Sequence, residues 1–149
     1  MKMVDLLRYN LPLDIIELWR RQESDSLLPL QDLAVRRHNL FGSDNLLVQA
    51  QTSSGKTFIG EMAALHTALK RRQVVYLVPL KALAEEKYRA FRAKYAPYGL
   101  KVIISTRDRR EFDADFEQGR FSIAVVVYEK LAQLLVRRPE RIEGIALVI

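Results

Sequence analysis

Apolar positions along the chain follow two patterns that alternate. Short, nearly continuous runs rich in valine and isoleucine occur at Asn45–Ala50, Val74–Val78, Leu100–Ser105, Phe121–Val127 and Ile145–Ile149. Unbroken rather than alternating apolar character belongs to strands covered on both faces, as in parallel sheets. Between these runs the period lengthens. Phe58, Met62, Leu65 and Leu69 recur every three or four residues, and Ala84, Tyr88, Phe91 and Tyr95 repeat the spacing. Each set predicts one apolar face of an amphipathic helix. The segment "EKLAQLLVRR" predicts a third. Upstream, "LPLDIIELWRR" predicts a short helix with Pro12 in its first turn, and "PLQDLAVRRHNLF" another that Gly42 ends.

Strand and helix in alternation predict an α/β fold built from crossover units, with a mainly parallel sheet flanked by helices. The stretch "RDRREFDADFEQGR" is charged and reads as loop and helix surface. No repeat, low-complexity tract or linker marks a second domain.

Composition narrows the function. At 149 residues and 49% hydrophobic content the chain is one domain or a piece of one, and not a disordered segment. A net charge of +6 suggests a polyanionic partner, nucleic acid before others. Cysteine is absent, which excludes disulfides and thiolate metal sites. His38 and His66 are too isolated to suggest a zinc centre. Asp5 and Arg8 interrupt what a secretory signal would need as its apolar core, and no apolar run approaches the ~20 residues that span a bilayer. The expectation is a soluble, cytoplasmic protein with no membrane partner.

One polar stretch stands out against these patterns. "QAQTSSGKTF" follows an apolar run and leads into a predicted helix. Small residues at Thr52, Ser53, Ser54 and Gly55 let a backbone wrap a phosphate with its N–H groups inward. Lys56 can reach β- and γ-phosphate oxygens, and the Thr57 hydroxyl can ligate Mg2+. The strict phosphate-loop pattern fails at its first position, where Ala50 replaces glycine, but strand before and helix after supply the context the motif requires.

"AQTSSGKT" resembles motif I of superfamily 2 helicases, where alanine at the first position is usual. "LLPLQDLAVRR" resembles the region whose glutamine reads adenine in that superfamily, here Gln31. "LVPLKALAEEKYRAF" resembles motif Ia of the Ski2-like branch, to which the archaeal Hel-type DNA helicases belong. "GLKVIISTRDRRE" and "VVYEKLAQLLVR" resemble the segments that follow, the second being motif Ic. From about Leu28 to Ile149 the order is consistent with that family.

The resemblance implies a partial RecA-like P-loop NTPase domain: an N-terminal helical extension over 1–27, then over 28–149 the first half of the N-terminal RecA-like domain. It implies ATP and Mg2+ at Gln31 and Thr52–Thr57, with Lys56 and Thr57 taking part in the chemistry. It implies a single-stranded or duplex nucleic acid, DNA or RNA, at Pro79, Lys81, Ala82, Arg107, Tyr128 and Lys130. Those residues follow predicted strands, and open α/β sheets bind ligands at the C-terminal ends of their strands. For Lys81 and Lys130 the alternative is a solvated side chain at a helix start.

Some positions depart from the family pattern. Ser53 stands where glycine or alanine is usual, a mild change. Arg107 replaces a glycine, and Val127 replaces a threonine whose hydroxyl would touch a phosphate. "IALVI" would be followed in the family by the acidic motif II, whose carboxylates hold magnesium and orient the attacking water. The expectation is therefore a helicase core lacking its C-terminal half, which does not hydrolyse ATP by itself. A strand contributed after motif II is also expected to be missing beside the phosphate-loop strand, leaving a slot in the sheet. The alternatives are a non-catalytic ATP- or nucleic-acid-binding module, motivated by Arg107 and Val127, and another phosphate-loop enzyme such as a kinase or GTPase. The last lacks the guanine motif and leaves "PLKALAEEKYRAF" unexplained.

Overall fold

The computed structural model describes residues 1–149 and divides them into two compact units, Met1–His66 and Thr67–Ile149. In the first unit a 3-10 helix, Met3–Tyr9, precedes α1 (Leu13–Gln22) and α2 (Pro29–Arg36), and α3 (Lys56–Leu69) begins after a long non-helical stretch. The 3-10 helix and α1 pack together, with Met3, Leu6, Leu11, Ile15, Ile16 and Trp19 buried. Pro12 is the extended cap residue just before α1, where its missing N–H costs nothing. The Met3 amide donates to the Asp25 carbonyl at 2.8 Å and the Leu27 amide to the Met1 carbonyl at 3.0 Å, so the chain start is tied to the loop ahead of α2.

Two expectations need correction here. The helix expected to run to Gly42 ends at Arg36. Asn39 takes a left-handed φ of 49°, which asparagine tolerates, while the His38 and Leu40 amides close back on Leu33 and Ala34. The strand expected at Asn45–Ala50 does not join the sheet. Leu47 within it is 91% exposed. Apolar composition makes a strand only where a neighbour accepts its backbone hydrogen bonds, and this segment has none.

The second unit is built on a sheet of four strands in the order β2-β3-β1-β4. They are β1 (Gln73–Val78), β2 (Val102–Ser105), β3 (Ile123–Val127) and β4 (Ile145–Val148), and every pairing is parallel. These match four of the five apolar runs. The helices are α4 (Lys81–Tyr95), α5 (Asp113–Gln118) and α6 (Tyr128–Arg137), with 3-10 turns at Ala96–Tyr98 and Pro139–Gly144.

Strand side chains alternate between the two faces. On one face Val75, Ile103, Ala124 and Val126 pack with Phe116, Phe121 and Leu134 from α5, the β3 approach and α6. On the other, Tyr76 meets Phe91 of α4 edge-on at 5.2 Å, and Phe91 meets Tyr95 at 5.8 Å. The two central strands are buried on both faces, as their unbroken valine and isoleucine content requires. β4 pairs on one side only and its residues are half-buried or exposed. No helix is long and apolar enough to cross a membrane.

Candidate functional site

The polar stretch after Ala50 turns sharply. Ser53 and Gly55 both have left-handed backbones, φ 63° and 85°, with Ser54 between them on the ordinary side. Such alternation is the geometry by which successive N–H groups converge on an anion. α3 starts at Lys56, so the positive end of a helix 14 residues long lies at the same turn. The Lys56 ammonium does not point away. It donates to the Ala50 carbonyl at 2.6 Å and the Gln51 carbonyl at 2.5 Å, crossing its own loop. The Ser54 hydroxyl donates to the Gln51 carbonyl at 2.7 Å. Thr52, Ser53 and Thr57 are exposed, and their hydroxyls make no side-chain hydrogen bond.

Ser53 is less mild a replacement than its size suggests. A non-glycine residue in the left-handed region costs roughly 1–2 kcal/mol, offset in part by the freer unfolded chain that glycine brings. Ser53→Gly is expected to raise the thermal midpoint slightly, and Ser53→Val, β-branched and ill-suited to positive φ, to lower it by several degrees. Circular dichroism melts that move both variants the same way would contradict this.

Gln31 is buried, 4% exposed, and its carboxamide is engaged at both ends. Its Oε1 accepts the Leu28 amide at 2.8 Å, the reciprocal half of a capping box at the start of α2. Its Nε2 donates to the Gly55 carbonyl at 3.3 Å. Gln31 therefore staples the α2 terminus to the phosphate-type loop. A primary amide keeps one further N–H and one further lone pair, so contact with a base remains chemically open. Glutamine at the third position of α2, after Pro29 at the first, is the only sequence trace of this cap, since Leu28 lacks the side-chain oxygen of a full capping box.

The other candidates lie in the second unit, at the C-terminal ends of β1, β2 and β3. After β1 come Pro79 and then Leu80, the N-cap of α4, which offers no side-chain acceptor. Lys81 and Ala82 form the exposed first turn. After β2 a small closed loop is pinned by Thr106 N–H to the Arg109 carbonyl at 3.1 Å and Arg109 N–H to the Thr106 hydroxyl at 3.2 Å. Arg107 and Asp108 form its tip. Lys81 donates to Asp108 at 2.5 Å across the two ends. That hydrogen bond holds the Asp108 carboxyl below the usual carboxylate range.

Arg109 anchors the same loop. Its guanidinium is raised above its ordinary pKa by Glu111 and by Glu85, with contacts of 2.6 and 2.5 Å, and it lies over the Tyr88 ring at 5.4 Å. After β3, Tyr128 is exposed at the head of α6. Lys130 is turned inward to Asp113 at 2.8 Å, and Asp113 also accepts the Ser105 hydroxyl at 2.6 Å. With its side chain 12% exposed, Lys130 is committed to that pair in this structure. Val127 is the buried N-cap of α6 and makes no side-chain cap bond, so a threonine there would also have served the helix. Asp108, Arg109 and Asp113 escaped the sequence reading, and the alternation of arginine with acid in "RDRREFDAD" was their only trace.

Comparison with known proteins adds an independent finding. Residues 29–149 match the family model described as DEAD/DEAH box helicase. The ATP-dependent DNA helicase Hel308 of Methanocaldococcus jannaschii is 35% identical over 129 residues, 83% of this chain and 10% of its own length. The Hel308 proteins of Pyrobaculum calidifontis and Pyrococcus abyssi are 38% and 40% identical, over 94% and 85% of this chain and 19% and 17% of their own lengths. The chain thus spans a tenth to a fifth of these relatives.

Proposed function

Because the chain belongs to the DEAD/DEAH box helicase family, we propose that its first unit is the ATP-binding part of a DNA-dependent motor. The loop Thr52–Thr57 receives the triphosphate, and Lys56 exchanges the Ala50 and Gln51 carbonyls for β- and γ-phosphate oxygens. The observation that carries this reading is the pair of left-handed residues at 53 and 55 immediately ahead of a lysine-headed helix. The exposed Thr57 hydroxyl, which makes no side-chain hydrogen bond, suits a site where magnesium takes a single protein oxygen beside phosphates and water. When bound, that ion would neutralise phosphate charge.

Lys56 is the only ionisable side chain between Gln51 and Thr57, so the loop can bind and polarise a triphosphate but offers no base to orient a water. Binding without turnover is the activity proposed for the 149-residue chain. The sheet edge at Pro79, Lys81, Ala82, Arg107 and Tyr128 takes the sugar–phosphate backbone of a strand. DNA is the preferred substrate class, since the relatives bear that name.

Gln31 provides the test of base selection. Gln31→Ala is expected to weaken ATP binding about tenfold, the effect of roughly 1.4 kcal/mol, while GTP binding weakens less. Titration of each nucleotide by calorimetry reads the difference. Equal losses for ATP and GTP would reduce Gln31 to a staple of the loop, and absence of any nucleotide binding by the unmodified chain would overturn the ATP reading.

A further inference from the structure

The contact between Lys81 and Asp108 has features that a decorative surface pair would lack. Asp108 is positioned by its own loop, closed through Thr106 and Arg109, with Arg109 clamped between Glu85 and Glu111. Its place therefore does not depend on Lys81. Lys81 sits in the first turn of α4, the positive end of the helix, where a cation is disfavoured and an anion welcome. Arg107 and Arg110 flank Asp108, and neither has a carboxylate partner of its own. One carboxylate thus holds Lys81 at the uncapped start of α4, with Arg107 and Arg110 close by in the same loop and in no ion pair, an arrangement that a phosphodiester group would complete.

We propose that Asp108 acts as an internal competitor for the phosphodiester strand, holding Lys81 until a backbone phosphate displaces it and so setting how tightly this sheet edge takes nucleic acid. The proposal deepens the nucleic-acid reading above and rests on it. Both side chains are half or more exposed, 51% for Lys81 and 67% for Asp108, so the pair is weak enough to be opened by a ligand. A phosphate brings what the carboxylate brings, several acceptor oxygens and negative charge, and adds contacts to Arg107 and Arg110 that Asp108 leaves unsatisfied. Specificity follows. An extended polyanion that meets all three cations can outcompete Asp108, whereas a lone inorganic phosphate, meeting one or two, cannot.

The test is a double-mutant cycle on the full 149-residue chain, using anisotropy of a fluorescein-labelled oligothymidylate between about 50 and 200 mM salt. Asp108→Asn is expected to tighten binding about threefold, in keeping with the small worth of an exposed pair. It is also expected to steepen the salt dependence by about one counterion, because no freed carboxylate recaptures a cation. In a Lys81→Met background the same substitution is expected to bring little gain. An equal gain with and without Lys81 would mean that Asp108 acts only through net charge, and no gain at all would mean that it does not compete; either overturns the proposal while leaving nucleic-acid binding in place. Failure of all four proteins to bind the strand at the lowest salt would instead overturn the nucleic-acid reading, and this inference with it. Unchanged circular dichroism of Asp108→Asn, expected from its exposure, secures the comparison.

Discussion

Replacing Lys56 with methionine is expected to weaken ATP binding by about 100-fold. A charge-assisted hydrogen bond contributes about 1.5–3 kcal/mol, and the ammonium can make two to the triphosphate. The full sum is not realised, because in the free protein the same ammonium already holds the Ala50 and Gln51 carbonyls at 2.6 and 2.5 Å and must give them up. A net of about 3 kcal/mol, or two decades in Kd, remains. Methionine keeps the length and apolar stem of the half-buried side chain, so the effect isolates the charge. Titration with a fluorescent ATP analogue measures it. Affinity within threefold of the unmodified protein would show that the loop is not a triphosphate cradle.

Gly55→Ala is expected to destabilise the first unit strongly for a change of one methyl group. The residue has φ 85°, and a Cβ there would collide with Gln31 Nε2 and lie 2.9 Å from Leu28 Cδ1. Backbone strain costs roughly 1–2 kcal/mol. Displacing Gln31 removes its bond to the Gly55 carbonyl and unsettles the cap on α2, adding about 1–2 kcal/mol. A combined loss near 3 kcal/mol lowers the thermal midpoint by about 6–12 °C in a chain of this size. Gly99→Ala supplies the control. Its φ is 79°, but nothing lies within 4 Å of the added carbon, so it carries the strain without the collision. Equal midpoints for the two variants would remove the steric role assigned to Gln31 and Leu28.

The strands that could be read from sequence were those whose environment their composition fully determines. Val74–Val78 and Ile123–Val127 are buried on both faces, and runs of branched apolar residues announce that burial. Asn45–Ala50 holds only two leucines and one valine between Asn45 and Gln49 and forms no ladder, because pairing also depends on a neighbour that accepts the backbone hydrogen bonds. The helix thought to reach Gly42 stopped earlier for a related reason. Asn39 can adopt a left-handed backbone nearly as well as glycine, and local sequence alone does not choose between two such breakers.

At the site, backbone geometry was more legible than side-chain allegiance. Gly-Lys-Thr after small residues led to a turn and a helix start at Lys56. The partners of polar groups were not legible. Lys130 pairs with Asp113, seventeen residues away, and Gln31 holds Leu28 and Gly55, contacts that the sequence around neither residue announces. Ser53 looked innocuous by size, and only its φ of 63° reveals a strained position. Long-range electrostatic pairing and left-handed backbones are properties of the folded chain, and a one-dimensional pattern carries them weakly.

Trp19 is the only tryptophan in the chain, fully buried, and its ring meets Phe58 edge-on at 5.2 Å. Phe58 stands two residues beyond Lys56, on the opening turn of the same helix. The indole is consequently a built-in optical gauge: a tilt of that opening turn alters the packing around the single tryptophan, whose absorption extends further to the red than that of the six tyrosines and so can be excited selectively. Occupancy of the adjoining loop can then be followed by native emission, without attaching a dye to protein or nucleotide.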